Sequence, residues 1–325
     1  MHEALRTLHQ KDTVSFHKSS LYVALFFGCM ATAVLSWQAG YWPITIAAWL
    51  VMAHVGHINL FVFHEASHFL LHPNRLLNEA NGILVGTFIL TPLSVYRYVH
   101  GRHHVHLSTE KDDEFWPYVD TRTPRWFRRL AAASELVFGF IHTPLVFLRG
   151  VLVAPNLHRR LKRRIALEYA LALAFWGTVI GVTAWLGAWE TLLVGYIAPT
   201  MISGSQQTFR KFVEHMGLYG DTVDGLTRTI DDRSLWGRFV SSTMLHGDIH
   251  GPHHLHAKIP QSRLPEALEH LVQEGRLTTQ SVYPNYWSAT RAMLGELWDP
   301  RIGPQWKRPA AAAGGEPAHT LPLAG

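Results

Sequence analysis

The apolar positions of this chain fall into long blocks separated by polar, basic segments. From Ser19 to Phe63 no Asp, Glu, Lys or Arg interrupts the run, and only Gln38-Ala39-Gly40 breaks it, between Trp37 and the pair Tyr41-Trp42. This predicts two spans, over 20–37 and 42–63, joined by a tight turn, because about 20 apolar residues cross a hydrocarbon core and aromatic residues favour its interface. The run passes into a second span rather than a cleavage site, which argues against a removable signal peptide. A second hairpin is expected from Ile165 to Phe209, with spans over 165–186 and 190–209 and a turn at Gly187 to Glu190. Glu168 can reach the interface from a helix end, and Pro199 is tolerated within a membrane helix. The shorter apolar stretches Ala80 to Val95 and Leu136 to Val153 read as interfacial or partly inserted helices.

Two hairpins place the amino terminus, the segment between them and the carboxyl terminus on one side. The two turns hold no Lys or Arg, whereas the other side carries the basic clusters Arg122 to Arg129 and His158 to Arg164. The positive-inside rule makes that side cytoplasmic. The expected fold is therefore all-α, an integral membrane protein with four transmembrane helices in two hairpins and a cytoplasmic helical cap. Residues 1–306 are expected to form a single membrane-embedded domain. The Pro-, Ala- and Gly-rich stretch 307–325 reads as a disordered tail.

Composition agrees with the pattern. Of 325 residues, 48% are apolar and only 16% charged, a low charge density for a soluble globule. The net charge of +5 raises nucleic acid as a partner, but the basic clusters flank apolar segments without any nucleic-acid-binding module, and none is expected. They read as anchors to membrane lipid. Cys29, the single cysteine, leaves no disulfide framework, cysteine-rich zinc site or iron–sulfur site within one chain. The unusual count is 22 His, many in short clusters on the side expected to be cytoplasmic.

The first cluster is His64-Glu65-Ala66-Ser67-His68, directly after the second span; helical spacing of four puts both imidazoles on one face. His100, His103 and His104 form the second, and His250, His253 and His254 the third, each at positions i, i+3 and i+4. A lone His215 follows Glu214 beyond the fourth span. One such pair is an ordinary surface or core feature, but three clusters on one face point to metal. Nine imidazoles exceed what one ion takes, so two ions are expected. Imidazole suits iron, copper, nickel and zinc alike. Only Glu65 to His68 has the Glu-x-x-His spacing of a carboxylate-bridged di-iron bundle, which disfavours that fold. His64-Glu65-x-x-His68 also fits an intramembrane zinc metalloprotease with Glu65 as general base, a reading that leaves the other clusters unused. A histidine-rich metal carrier or sensor is a third alternative.

The three boxes, with the stretch His253-His254-Leu255-His256-Ala257-Lys258-Ile259-Pro260 and its continuation Arg263-Leu264-Pro265-Glu266-Ala267, resemble the membrane fatty acid desaturase superfamily, from about His64 to Leu268. The resemblance implies two iron ions held by His64, His68, His100, His103, His104, His250, His253 and His254. His215, within Glu214-His215-Met216-Gly217-Leu218, is similar to the lone ligand after the last spans, in a segment also similar to one in alkane hydroxylases. Where relatives often carry Asn four residues before that histidine, this chain has Lys211, which does not ligate while protonated.

A ligating imidazole usually gives its other N–H to an acceptor, and Glu65, Asp112, Asp113, Glu114, Glu214 and Asp248 are candidates, with His246 one helical turn before His250. His106 and His256 read as surface or supporting residues, and His54 and His57 as a polar contact between helices or the wall of a substrate passage. The implied activity is O2-dependent oxidation of a fatty acyl chain, most simply desaturation. Hydroxylation, or oxidative decarboxylation to a terminal alkene, is the alternative. The chemistry rests on the di-iron centre itself, and no separate protein acid or base is assigned. The acyl chain could be a free acid or linked to CoA, a carrier protein or a lipid. Without a haem fingerprint, cysteine set or dinucleotide loop, electrons are expected from a separate donor, such as a ferredoxin or cytochrome b5-type protein with its reductase. The basic face would suit an acidic donor.

Overall fold

The computed structural model describes residues 3–278 and 280–307. Apart from Lys307, the expected disordered tail lies outside the described residues. After a short helix α1 (Glu3–Thr7), the first apolar block folds as α2 (Val14–Gln38) and α3 (Trp42–Ser67), with Gly40 at φ 76° in the turn and Pro43 in the first turn of α3. Proline costs nothing there, because the first helical N–H groups have no partner within the helix. Next come α4 (Arg75–Phe88) and α5 (Leu93–Val105), bent by 97° at a break where Leu90 has φ 55° and Pro92 follows. The expected single interfacial stretch, Ala80 to Val95, is thus divided between two helices.

A long helix α6 (Arg125–Leu152) precedes α7 (Arg159–Leu186), whose Gly187 ends it in the left-handed conformation. The chain returns through α8 (Trp189–Leu192), a π-helical turn at Leu193–Ile197 and α9 (Ala198–His215). The remainder is short: α10 (Val223–Leu226), α11 (Leu235–Thr243), α12 (His250–Leu255), α13 (Leu264–Gln273), α14 (Tyr286–Leu294), and a two-residue parallel bridge of β1 (Thr229–Ile230) with β2 (Val282–Tyr283). Among the described residues the protein is all-α apart from that bridge.

Among the described residues, α2, α3, α6 and α7 are each long and apolar enough to cross a membrane, whereas the expected span over 190–209 is divided among α8, the π-helical turn and α9 and is not in this set. By length and composition α6 could span, whereas an interfacial or partly inserted helix is expected over Leu136 to Val153. Its two ends explain its placement. Near the start, Arg128 donates to Pro300 O (2.8 Å) and reaches Thr123 O, while near the end Arg149 stacks over Trp116 at 4.0 Å, beside Asp113. Both ends are tied to residues 113–123, so α6, kinked at Phe138 and carrying Pro144, keeps both termini in the layer of the histidines. Gly139 and Gly204 allow it to cross α9 at backbone contact; a Cβ on Gly139 would lie 2.4 Å from Gly204 O.

The two expected hairpins meet at the far end, where Trp37 Nε1 donates to Glu190 Oε1 (2.5 Å) and Trp49 Nε1 to Val194 O (2.7 Å). At the opposite end Leu5 and Leu8 pack with Ile259, Leu264 and Leu268, and Trp306 Nε1 donates to Tyr118 O (2.9 Å). The first described residues, the inter-hairpin segment and the last described residues therefore share one layer. Glu168 does not reach out to an interface. It is buried and caps α5, accepting from Ser94 N (2.8 Å) and Ser94 Oγ (2.7 Å), where a carboxylate also opposes the positive end of the helix dipole. Arg164, one turn earlier in α7, donates to it at 2.8 Å.

Candidate metal centre

Each histidine box sits where a helix end is held by side chains from elsewhere. The last carbonyls of α3 lack helical partners, and Asn78 Nδ2 and Arg97 Nη2 donate to Ala66 O at 2.9 and 3.1 Å, while Arg97 Nε donates to Ser67 O at 2.9 Å. Phe69 then turns the chain at φ 62° under the Arg97 guanidinium. His64 and His68 are thereby fixed at the foot of α3. The second box lies on α5, oriented by the Glu168 cap. The third lies on the six-residue α12, where Gly251 N donates to Thr229 Oγ1 at 2.9 Å. A Cβ on Gly251 would come within 2.6 Å of that oxygen, so only glycine lets α12 approach β1 this closely. His215 is the last residue of α9, and its Nδ1 donates to Leu226 O at 3.0 Å.

These four elements bring the nine predicted histidines together in two adjoining groups. In the first, His64, His68, His100, His104 and His253 offer ring nitrogens that all lie within 4.8 Å of one another. In the second, two sets sharing His215 do so with one ligand atom each: His103, His215 and His254, and His215 and His250 with a carboxylate oxygen of Glu214. The Nε2 atoms face one another: His104 to His100 3.1 Å, His253 to His104 3.1 Å, His103 to His254 3.3 Å, His254 to His250 2.9 Å and His215 to His250 2.6 Å. Two nitrogens bound to one ion at about 2.0–2.1 Å must lie a few ångströms apart, so these separations fit shared metal ligation. The Nε2 of His68 is buried without a hydrogen-bond partner, as a ligand awaiting an ion would be. Burial pushes His250, His253 and His254 well below the ordinary imidazole pKa, which keeps them neutral and able to ligate. The donor set therefore fits two transition-metal ions.

The opposite ring nitrogens show what orients the imidazoles. His100 Nδ1 lies 2.8 Å from Glu114 Oε2, and His103 Nδ1 2.8 Å from Asp112 Oδ2. Asp112 is fully buried and also accepts from Ser108 N at 2.8 Å. Burial works to raise the pKa of Glu114, but the imidazoles of His100 and His103 and the Lys211 ammonium bring it down to about 2. Glu214 accepts from Arg210 (2.5 Å) and lies 3.7 Å from His250 Nδ1. Among the other candidates, Asp113 faces Arg102 (2.9 Å) instead of an imidazole. Asp248 and His246 both meet Ser241, at 2.8 and 3.1 Å. His246 is not one turn before His250 on a common helix; Leu245 and His246 adopt φ 55° and 59°, and α12 begins only at His250.

Glu65 accepts from Gln261 N (3.0 Å), and Gln261 Nε2 lies 3.2 Å from His64 Nδ1, so it acts through Gln261. This placement, with three further imidazoles around His64 and His68, removes the support for Glu65 as the base of a metalloprotease. Gln261 itself was not foreseeable, since glutamine in a loop carries no spacing signal. His54 makes a polar contact with Thr243 Oγ1 (3.0 Å), and His256 faces Arg276 (3.0 Å), away from both groups.

A cavity reaches His64 from within the helical bundle. Its deeper wall is apolar, with Phe26 and Phe27 of α2 and Leu84 and Phe88 of α4; its end at His64 adds Tyr96, Glu114, Arg210 and Lys211. Those same residues also line the smaller space among the imidazoles, so the apolar cavity and the histidines share a wall.

Fold and site together define a helical, membrane-type protein that gathers imidazoles beside an apolar cavity. The fatty acid desaturase family profile matches residues 40–285, well over half of the chain, and the chain belongs to that family. It is accordingly an oxidoreductase of the membrane fatty acid desaturase type. It is also 26% identical over 273 residues to the sn-1 acyl-lipid omega-3 desaturase (ferredoxin) of Synechocystis sp., covering 77% of this chain and 72% of that protein.

Proposed function

We propose that this protein is an O2-dependent di-iron oxidoreductase that introduces a double bond into a fatty acyl chain, its metals held by His64, His68, His100, His104 and His253 on one side and His103, His215, His250 and His254 on the other. The observation that carries this reading is the meeting of the two imidazole groups with the inner end of the apolar cavity at His64. Iron bound there would supply activation of O2 and removal of hydrogen from an unactivated methylene, which offers no acidic proton to a side-chain base. The protein's own part is positioning. The cavity excludes water and holds the chain, while Asp112, Glu114, Gln261 and the Leu226 carbonyl hold the rings in place.

Residues 1–306 act as one unit in this reading, since the first described residues and the last described ones pack in the layer that holds the histidines. The basic clusters beside this layer, against hairpin turns without Lys or Arg, support a cytoplasmic site and cytoplasmic termini. Electrons come from a separate protein. The name of the Synechocystis relative supports a ferredoxin-type donor and a fatty acyl substrate. The test is mass spectrometry of acyl chains from cells expressing the protein, with and without O2. Loss of two hydrogens that requires O2 is expected; gain of oxygen would make the enzyme a hydroxylase, and loss of carbon dioxide a decarboxylase.

A further inference from the structure

The cavity is polarised along its length. Phe88 and Thr87, at the end of α4, are fixed by Tyr196 OH donating to Phe88 O (2.7 Å) and by Trp176 Nε1, from the middle of α7, donating to Thr87 O (2.9 Å). Phe26 and Phe27 come from the middle of α2. The apolar end of the cavity therefore lies at the depth of the helix midpoints, and the polar end lies at the histidines. An amphiphile in a bilayer has the same orientation, tail at mid-depth and head towards the interface. A substrate that enters without turning over presents its head end, not its tail, to the histidine cluster.

The polar end is also charged. Lys211 pairs with Glu135, which is 1% exposed and also accepts from Tyr118 OH at 2.9 Å. Arg210 gives Nη1 to Glu214 and Nε to Gln207 Oε1 (3.4 Å). Lysine has three donors and arginine five, so both cations keep N–H groups beyond these contacts. Thr208, 1% exposed and on the same wall, has a hydroxyl with no hydrogen-bond partner. Buried ion pairs are costly beside an apolar chain, and a methylene gives them nothing in return. Lys211, Arg210 and Thr208 line the same cavity, beside Glu114, and each offers a donor that a carboxylate accepts from.

We propose that the substrate is a free fatty acid whose carboxylate is bound by Lys211 and Arg210, so that the carbons facing the histidines are those next to the carboxyl group. This rests on the acyl-chain reading above and narrows it to a substrate class and a region of the chain. In this proposal the role of Lys211 is recognition of the head group.

The direct test is displacement of a fluorescent fatty acid from the metal-loaded protein in lipid nanodiscs by a long-chain fatty acid, its methyl ester and its alcohol. The acid should bind roughly tenfold or more tightly than the ester, as one charge-assisted contact implies. Lys211→Met should abolish that preference and Lys211→Arg retain it, while Glu135→Gln, which removes a competing carboxylate, should strengthen it. If Lys211→Met fails to fold, the comparison of ligands on the unaltered protein decides. Equal binding of acid and ester would overturn the proposal, as would oxidation confined to mid-chain carbons of a lipid-linked substrate, an outcome that leaves the desaturase reading standing. A strong acid preference without any O2-dependent product would uphold the head-group site and overturn the desaturase reading instead.

Discussion

The two imidazole groups are built differently. In the second, His103 is held by the buried Asp112, His215 by the Leu226 carbonyl, and His250 faces Glu214. In the first, His100 has Glu114 and His64 has Gln261, while His253 Nδ1 is buried without a partner, as is His254 Nδ1 in the second. Protein groups thus face the outer nitrogens of three of the four rings in the second group and two of the five in the first, so the first relies more on an ion to fix its rings. Sequence spacing shows three boxes and a lone histidine; only the fold sorts them into these two groups.

Removing a ligand from either group should have the largest effect. His253→Ala and His103→Ala are each expected to lower O2-dependent product formation by a factor of about 100 or more, while the protein remains in the membrane. Product analysis and membrane fractionation check this; retained activity in either would take that residue off the ligand set. The orienting carboxylates come next. Asp112→Asn and Glu114→Gln should each weaken metal affinity by roughly 10–100-fold, read by competition with a chelator. If the comparison holds, Asp112→Asn affects the second ion and Glu114→Gln the first; equal effects on both ions would show the groups to be one unit.

Much of this was legible in the sequence, for a physical reason. The first hairpin and the outgoing helix of the second follow from runs of apolar residues, and the boxes follow from helical periodicity, because both signals are local. What escaped depends on contacts between distant segments. Glu168 looked like a stray charge near a helix end, yet it caps α5, 74 positions away in sequence from its partner Ser94. Asp113 and Asp112 are indistinguishable by composition, and only the fold turns one to Arg102 and the other to His103. The length of α6 argued neither for nor against a span until Arg128 and Arg149 showed where its ends are tied.

Smaller effects sharpen the same contrast. Below about pH 6.5 the unfolded chain binds protons that His250, His253 and His254 refuse while folded, because burial lowers their pKa. Their contribution to the stability of the metal-free protein is thus present above that pH and is lost as pH falls below it. Thermal unfolding in detergent should show a falling midpoint from pH 7 to about pH 5, reduced when metal is bound. A midpoint that rises on acidification would contradict these assignments. Least of all, Glu168→Leu should cost about 1–3 kcal/mol by leaving the Ser94 N–H and hydroxyl without their acceptor, with both ions still bound.

The central claim is that nine imidazoles hold two irons, and metal analysis of the purified protein after anaerobic loading with ferrous iron tests it most directly. The account predicts about two irons per chain, with a Mössbauer spectrum of two distinct nitrogen-rich sites. One tightly bound ion per chain, with the remaining histidines free to react with diethyl pyrocarbonate, would contradict it.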